Sequence, residues 1–139
     1  MMPTAVMEDY LECIYDIIQV KGYAGTNDIA ERLDIHPSTV SRMIKKLDKK
    51  GYINYEPYRG LTLTEAGELI GKRISSNHKL LEEFFEILGI KDQEIIDQDI
   101  EGIEHHLSSK TIDNILALVD FFTENPARLE EFNNFKSEH

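Results

Sequence analysis

The sequence predicts a mainly α-helical protein in two parts: an N-terminal winged helix-turn-helix (three helices plus a β-hairpin wing), then an all-helical domain. Three observations predict it. Apolar residues recur at helical spacing over most of the 139 residues. Two short β-rich runs flank a Pro/Gly turn within "EPYRG". Charge also divides along the chain: residues 1–72 hold 9 Lys/Arg against 11 Asp/Glu, net −2, and residues 73–139 hold 6 against 15, net −9. The expected domains are therefore 1–72 and 73–139, bridged by a long helix at about 64–88.

In "MEDYLECIYDIIQV", Met7, Leu11, Ile14 and Ile18 share one helical face, and Gly22 stops the helix. Thr26 is the expected N-cap of a short second helix, "NDIAERL", with Asp28 where the helix dipole favours an acid. After the turn "DIHP", Pro37 opens a third helix through "STVSRMIKKLDKK", with Val40, Ile44 and Leu47 facing inward and Gly51 as its stop. Tyr52–Tyr55 and Leu61–Thr64 read as the two strands of the hairpin. Thr64 caps the long helix, whose stripe is Ile70, Ile74, Leu81, Phe85 and Leu88; at 1.5 Å per residue it spans ~36 Å. Three further helices are expected near 94–107, 112–123 and 126–135, Pro126 opening the last.

No run approaches the ~18 apolar residues of a membrane span, and the acidic start "MMPTAVMEDY" lacks a signal-peptide core. One cysteine, Cys13, excludes an intramolecular disulfide and fits a reducing compartment; a cytoplasmic protein with no membrane partner is expected. H-E-x-x-H is absent, and neither a Ser-His nor a Cys-His nucleophile pair is apparent, so neither an enzyme nor a small-molecule substrate is expected.

The stretch 38–60 runs against the acidic background, with Arg42, Lys45, Lys46, Lys49, Lys50 and Arg59 against two acids, net +4. Local sign governs contact with phosphates more than overall pI does. On the third helix Ser38, Thr39, Ser41, Arg42, Lys45 and Lys46 face outward. Small hydroxyls near its N-terminus suit close approach to base edges, and the cations behind them suit phosphates. Tyr58 and Arg59 at the hairpin tip suit the flanking backbone. A charged amphipathic helix is by itself usually a solvated face. The order of elements and the local +4 favour double-stranded DNA as partner.

The acidic residues raise a second question. Asp9 and Glu12 are helical neighbours that, in isolation, read as a solvated face. His78 lies beside an apolar stripe, where a histidine is more often a core residue than a ligand. "DIEGIEHHLS" differs: on a helix Glu101, Glu104 and His105 emerge from one patch, a spacing that can chelate a divalent ion, with no nearby cation to neutralise the acids. Apolar positions Ile112, Ile115, Leu116, Val119 and Phe122 offer a stripe to bury against a second copy.

"MEDYLE", "GYAGTNDIAERLDIHPSTVSRMIKKLDKKGYINYEPYRGLTLTEAG", the His78 helix and "DIEGIEHHLS" together resemble the diphtheria-toxin-repressor family of metal-dependent transcription regulators, on the side of its manganese-responsive branch. The similarity spans nearly the whole chain. It implies a homodimeric regulator that binds operators when loaded with metal, silencing manganese uptake genes. It implies Asp9, Glu12, His78, Glu101, Glu104 and His105 as ligands of two Mn²⁺ ions per chain. It also implies that the chain lacks the SH3-like third domain of longer members. The iron-responsive branch carries a Met and a Cys at the positions of Asp9 and Glu101. Four carboxylates and two imidazoles without sulfur suit a hard ion such as Mn²⁺, and Cys13 is expected to be packing alone.

Overall fold

The computed structural model describes residues 3–56 and 58–139, which form two compact units divided at Ser75. The first contains helices α1 (Ala5–Lys21), α2 (Thr26–Leu33) and α3 (Pro37–Lys49), strands β1 (Ile53–Glu56) and β2 (Gly60–Leu63), and the start of α4 (Glu65–Leu88). The remainder of α4 belongs to the second unit, with α5 (Gln93–Ile103), α6 (Ser109–Glu124) and α7 (Pro126–Ser137).

Caps and core account for these boundaries in the first unit. Thr4 Oγ1 accepts the Met7 N–H at 3.2 Å to start α1, and Gly22 ends it at φ 87°, a conformation that favours glycine. The cap of α2 differs from expectation. Extended Gly25 is the N-cap and Thr26 is already helical, because Asp28 Oδ2 reaches back to accept the Gly25 N–H at 3.0 Å. Pro37 opens α3 as expected, and His36 caps it. Leu11, Ile14, Ile29, Val40, Leu47, Ile53 and Leu61 are fully buried together. Burying each is worth about 1.5–3 kcal/mol.

The wing is antiparallel, Ile53 opposite Leu63 and Glu56 opposite Gly60. Each strand is offset by one residue from the expected span. Tyr52 leaves the ladder because its N–H donates to Leu47 O and its carbonyl accepts from Thr64 N–H. Pro57, expected in the turn, lies outside the described residues. An isolated hairpin is marginal in water; this one is anchored by Ile53, Leu61 and a bridge from Leu61 to Ala24.

In the second unit Leu81, Phe85, Ile96 and Ile100 form one apolar cluster, and Leu80, Ile87 and Val119 another. Helix α5 ends at Ile103, four residues before the expected end. Glu104 is its C-cap, donating its N–H to Ile100 O at 2.8 Å, and His106 N–H closes a turn onto Ile103 O. The chain must turn there because Ser108, whose Oγ accepts the Thr111 N–H, already caps α6. The stripe expected to be exposed is mostly turned inward. Val119 is buried and Ile112, Ile115 and Phe122 pack against it, leaving Leu116 outward, with Leu118 and Phe121 also exposed. Among the described residues no helix is long and apolar enough to cross a membrane.

Candidate functional site

The first unit presents a cationic face on α3. Val40, Ile44 and Leu47 point into the core, so helical phase turns Ser38, Thr39, Ser41, Arg42, Lys45 and Lys46 outward, and all six are exposed. At the wing tip the Arg59 guanidinium lies 3.5 Å from Glu56 and the side chain stays largely exposed. Tyr58 is fully exposed at φ 72°. A bulky residue held in the left-handed region costs on the order of 1 kcal/mol and is characteristic of functional loops. Between α3 and the wing lies a cleft of about 260 Å³ lined by Thr26, Ser41, Ile44, Lys45, Asp48 and Tyr55.

Of the acidic candidates, Asp9 and Glu12 stand one turn apart on α1 in the first unit, both half-buried. The second unit gathers the other four. Glu104 is 2% exposed, yet among the described residues its side chain pairs with no lysine or arginine. Its Oε2 lies 2.8 Å from His78 Nδ1, and its Oε1 lies 3.5 Å from His105 Nε2. Glu101, Glu104 and His105 each present one ligand atom, the three within 4.8 Å of one another. They do so although Glu104 and His105 have left the helix, so the juxtaposition comes from the cap turn after Ile103 rather than from one helix face. His106 is exposed on that turn.

Glu82 was not foreseen. Its Oε1 lies 3.4 Å from His78 Nε2, one turn along α4, and the i, i+4 spacing carries that signal in the sequence. The His78 ring therefore stands between two carboxylates. Such an outer carboxylate fixes the orientation and basicity of a ligating imidazole. The donors are carboxylate oxygen and imidazole nitrogen, a set that fits a hard divalent cation.

Among the described residues, the cysteine Cys13 belongs to neither carboxylate–imidazole group. Cys13 is buried, and burial first of all pushes its thiol up to about 11, against an ordinary 9.0. Little nucleophilic thiolate then exists near neutrality. Because the folded value exceeds the unfolded one, the protein should lose stability as pH climbs from 9 toward 11, not below. At pH 8 a disulfide reagent such as dithionitrobenzoate is expected to leave Cys13 unmodified until denaturant is added; stoichiometric labelling of the folded protein would contradict its burial.

A cationic helix beside a wing, together with a buried carboxylate–imidazole cluster in a second helical unit, defines a metal-responsive DNA-binding regulator. Comparison with known proteins gives the family. Residues 2–61 match the iron-dependent repressor N-terminal DNA-binding domain, and residues 64–133 match the iron-dependent repressor metal-binding and dimerisation domain. Two curated relatives are both described as HTH-type transcriptional regulator MntR. That of Oceanobacillus iheyensis is 53% identical over 94% of this chain and 88% of its own length; that of Bacillus subtilis is 52% identical over 99% of this chain and 98% of its own. The structure of the manganese regulator SloR superposes with a TM-score of 0.72 at 26% identity, over 87% of this chain and 55% of that one. The present chain thus spans about half the length of that solved relative. The chain belongs to the iron-dependent repressor family: it is a metal-dependent DNA-binding transcriptional repressor with a dimerisation domain, and not an enzyme.

Proposed function

We propose that the activating metal is Mn²⁺, bound as two ions per chain by Asp9, Glu12, His78, Glu101, Glu104 and His105, and that the loaded homodimer binds operators of manganese uptake genes in the cytoplasm and represses them. The observation that carries this reading is buried Glu104 between two imidazoles. Iron-responsive relatives would be expected to place sulfur here. The names of the relatives favour manganese over iron.

The division of labour is residues 1–72 for DNA and 73–139 for metal and dimerisation. Ser38, Thr39 and Ser41 approach base edges; Arg42, Lys45 and Lys46 meet phosphates; Tyr58 and Arg59 reach the flanking backbone. Two divalent ions supply +4, bringing the formal charge of −11 to −7 and lessening repulsion from DNA. Without them, Asp9, Glu12, Glu101 and Glu104 repel one another. Joining ligands from the DNA-binding part to ligands from the helical part restricts the ensemble toward a recognition-helix spacing of ~34 Å, the repeat of successive major grooves.

The test is Mn²⁺ titration of chelator-stripped protein, followed by loss of the free-ion EPR signal, with DNA retention measured in parallel. Two ions per chain and retention abolished by chelator are expected. Absence of saturable binding would return the carboxylates to structural roles.

A further inference from the structure

The N-cap of α3 is a histidine, and this gives its first outward side chain a choice of hydrogen-bonding polarity. Pro37, at the first helical position, has no N–H to cap. The first donor to satisfy is the Ser38 amide, which donates to His36 Nδ1 at 3.1 Å. The same nitrogen lies 2.7 Å from Ser38 Oγ. An amide cannot donate to a protonated nitrogen, so the cap requires Nδ1 bare and the ring proton on Nε2. Ser38 Oγ–H must then also point at Nδ1, which spends its only donor. In this state Ser38 offers an outside partner lone pairs alone.

Protonating the ring reverses the arrangement. Nδ1–H then donates to Ser38 Oγ, the Ser38 amide gives up its cap acceptor, the hydroxyl proton is released outward, and a positive charge appears in the first turn of α3. We infer that His36 is a specificity-determining residue: neutral, it makes Ser38 an acceptor matched to the amino edges of cytosine or adenine; charged, it makes Ser38 a donor matched to guanine O6/N7, thymine O4 or a phosphate. His36, Ser38 and the helix face they open are all exposed, so the exchange needs no rearrangement of the core.

The surroundings leave this exchange to the pair itself. Helix α3 packs on α2 and β1. At that end of α2 the charged groups are Glu31, Arg32 and Asp34, with Arg32 3.5 Å from Asp16; the acid on β1, Glu56, faces Arg59. Among the described residues, Ser38 is the ring's hydrogen-bonding partner and no carboxylate lies at ion-pair distance from it.

The inference rests on α3 being the helix that reads DNA, and the experiment separates the two. A randomised duplex pool is selected with Mn²⁺-saturated protein at pH 6.0 and at pH 8.0, using wild type and His36→Asn in parallel. Asparagine caps helices well and does not titrate, so pH effects on the metal ligands appear in both proteins and cancel. Wild type should enrich a motif in which one base position per half-site shifts identity with pH, by roughly five-fold in frequency, while His36→Asn gives the same base at both. Ser38→Ala, which keeps the cap acceptor, should abolish the shift as well and serves if the asparagine variant folds poorly. Long-range ¹H–¹⁵N spectra of the free protein should show the Nε2–H tautomer at pH 8.0. A wild-type motif identical at the two pH values, or an Nδ1–H tautomer, overturns the role of His36. Failure of any pool to enrich overturns α3 as the reading helix, and this inference with it.

Discussion

Glu104→Gln is expected to abolish metal-dependent DNA binding while leaving the fold intact. Glutamine matches glutamate in size and keeps one oxygen, so His78 retains a partner and no cavity opens at a side chain only 2% exposed. What disappears is the charge and one anionic donor, at the position shared by both imidazole contacts of 2.8 and 3.5 Å. Loss of an outer-shell partner typically costs 10–100-fold in metal affinity. Removing the central carboxylate should exceed that, with Mn²⁺ affinity falling by more than ~100-fold. Glu82→Gln is the graded comparison: Glu82 pairs with His78 at 3.4 Å, and about a 10-fold loss is expected. Both are read by EPR titration and by anisotropy of a labelled duplex with and without chelator, with circular dichroism confirming helicity. A Glu104→Gln protein that still binds Mn²⁺ with wild-type affinity would remove this residue from the centre.

The parts of the molecule legible in the sequence were those set by periodicity and by strong local punctuation. Val40, Ile44 and Leu47 are spaced so that only one face of α3 can enter a core, and the cationic face follows from that phase. Pro37 and Gly22 mark boundaries because of what their backbones permit. Competing caps were less legible. Thr26 and Gly25 both suit an N-cap, and what decided was Asp28 reaching back to the Gly25 N–H. The early end of α5 had the same origin, since Ser108 claimed the start of α6 and forced a turn through Glu104 and His105. Spacing pointed to Glu101, Glu104 and His105, and the structure brings these three together for a different geometric reason. Burial of the 112–122 stripe was invisible to periodicity, which says that a helix has an apolar face but not which neighbour covers it. Glu82 was overlooked because a charged i+4 residue resembles any solvated acid until its partner is known to be His78.

Gly67→Ala and Gly71→Ala should be the most damaging substitutions of a small residue for another small one in this protein. Both positions lie on α4 within the first unit. A Cβ at Gly67 would sit 1.9 Å from the Tyr52 carbonyl oxygen; at Gly71 it would sit 2.6 Å from the Leu11 carbonyl oxygen and 2.9 Å from Tyr15 Cβ. Those obstacles are chiefly backbone, of α1 and of the segment entering β1, and cannot swing aside as the end of a side chain can. Helix propensity argues the other way, since alanine in a helix interior gains about 1 kcal/mol over glycine. Overpacking costs about 1–3 kcal/mol where side chains can yield, and more where backbone must move. The net expectation is therefore a loss of about 2 kcal/mol at Gly71 and more at Gly67. For a unit of this size, 1 kcal/mol is roughly 4–8 °C in Tm, so melting should fall by about 10 °C. Gly102→Ala isolates the propensity effect: Gly102 lies in α5 with no non-local atom within 4 Å of an added Cβ. It should gain up to about 1 kcal/mol and melt at or above wild type. Opposite signs for the same chemical change, measured by far-UV melts, would locate the seating of α4 on α1 at Gly71 and on the segment entering β1 at Gly67. A Gly67→Ala protein that melts like wild type would mean that α4 does not approach Tyr52 as closely as described.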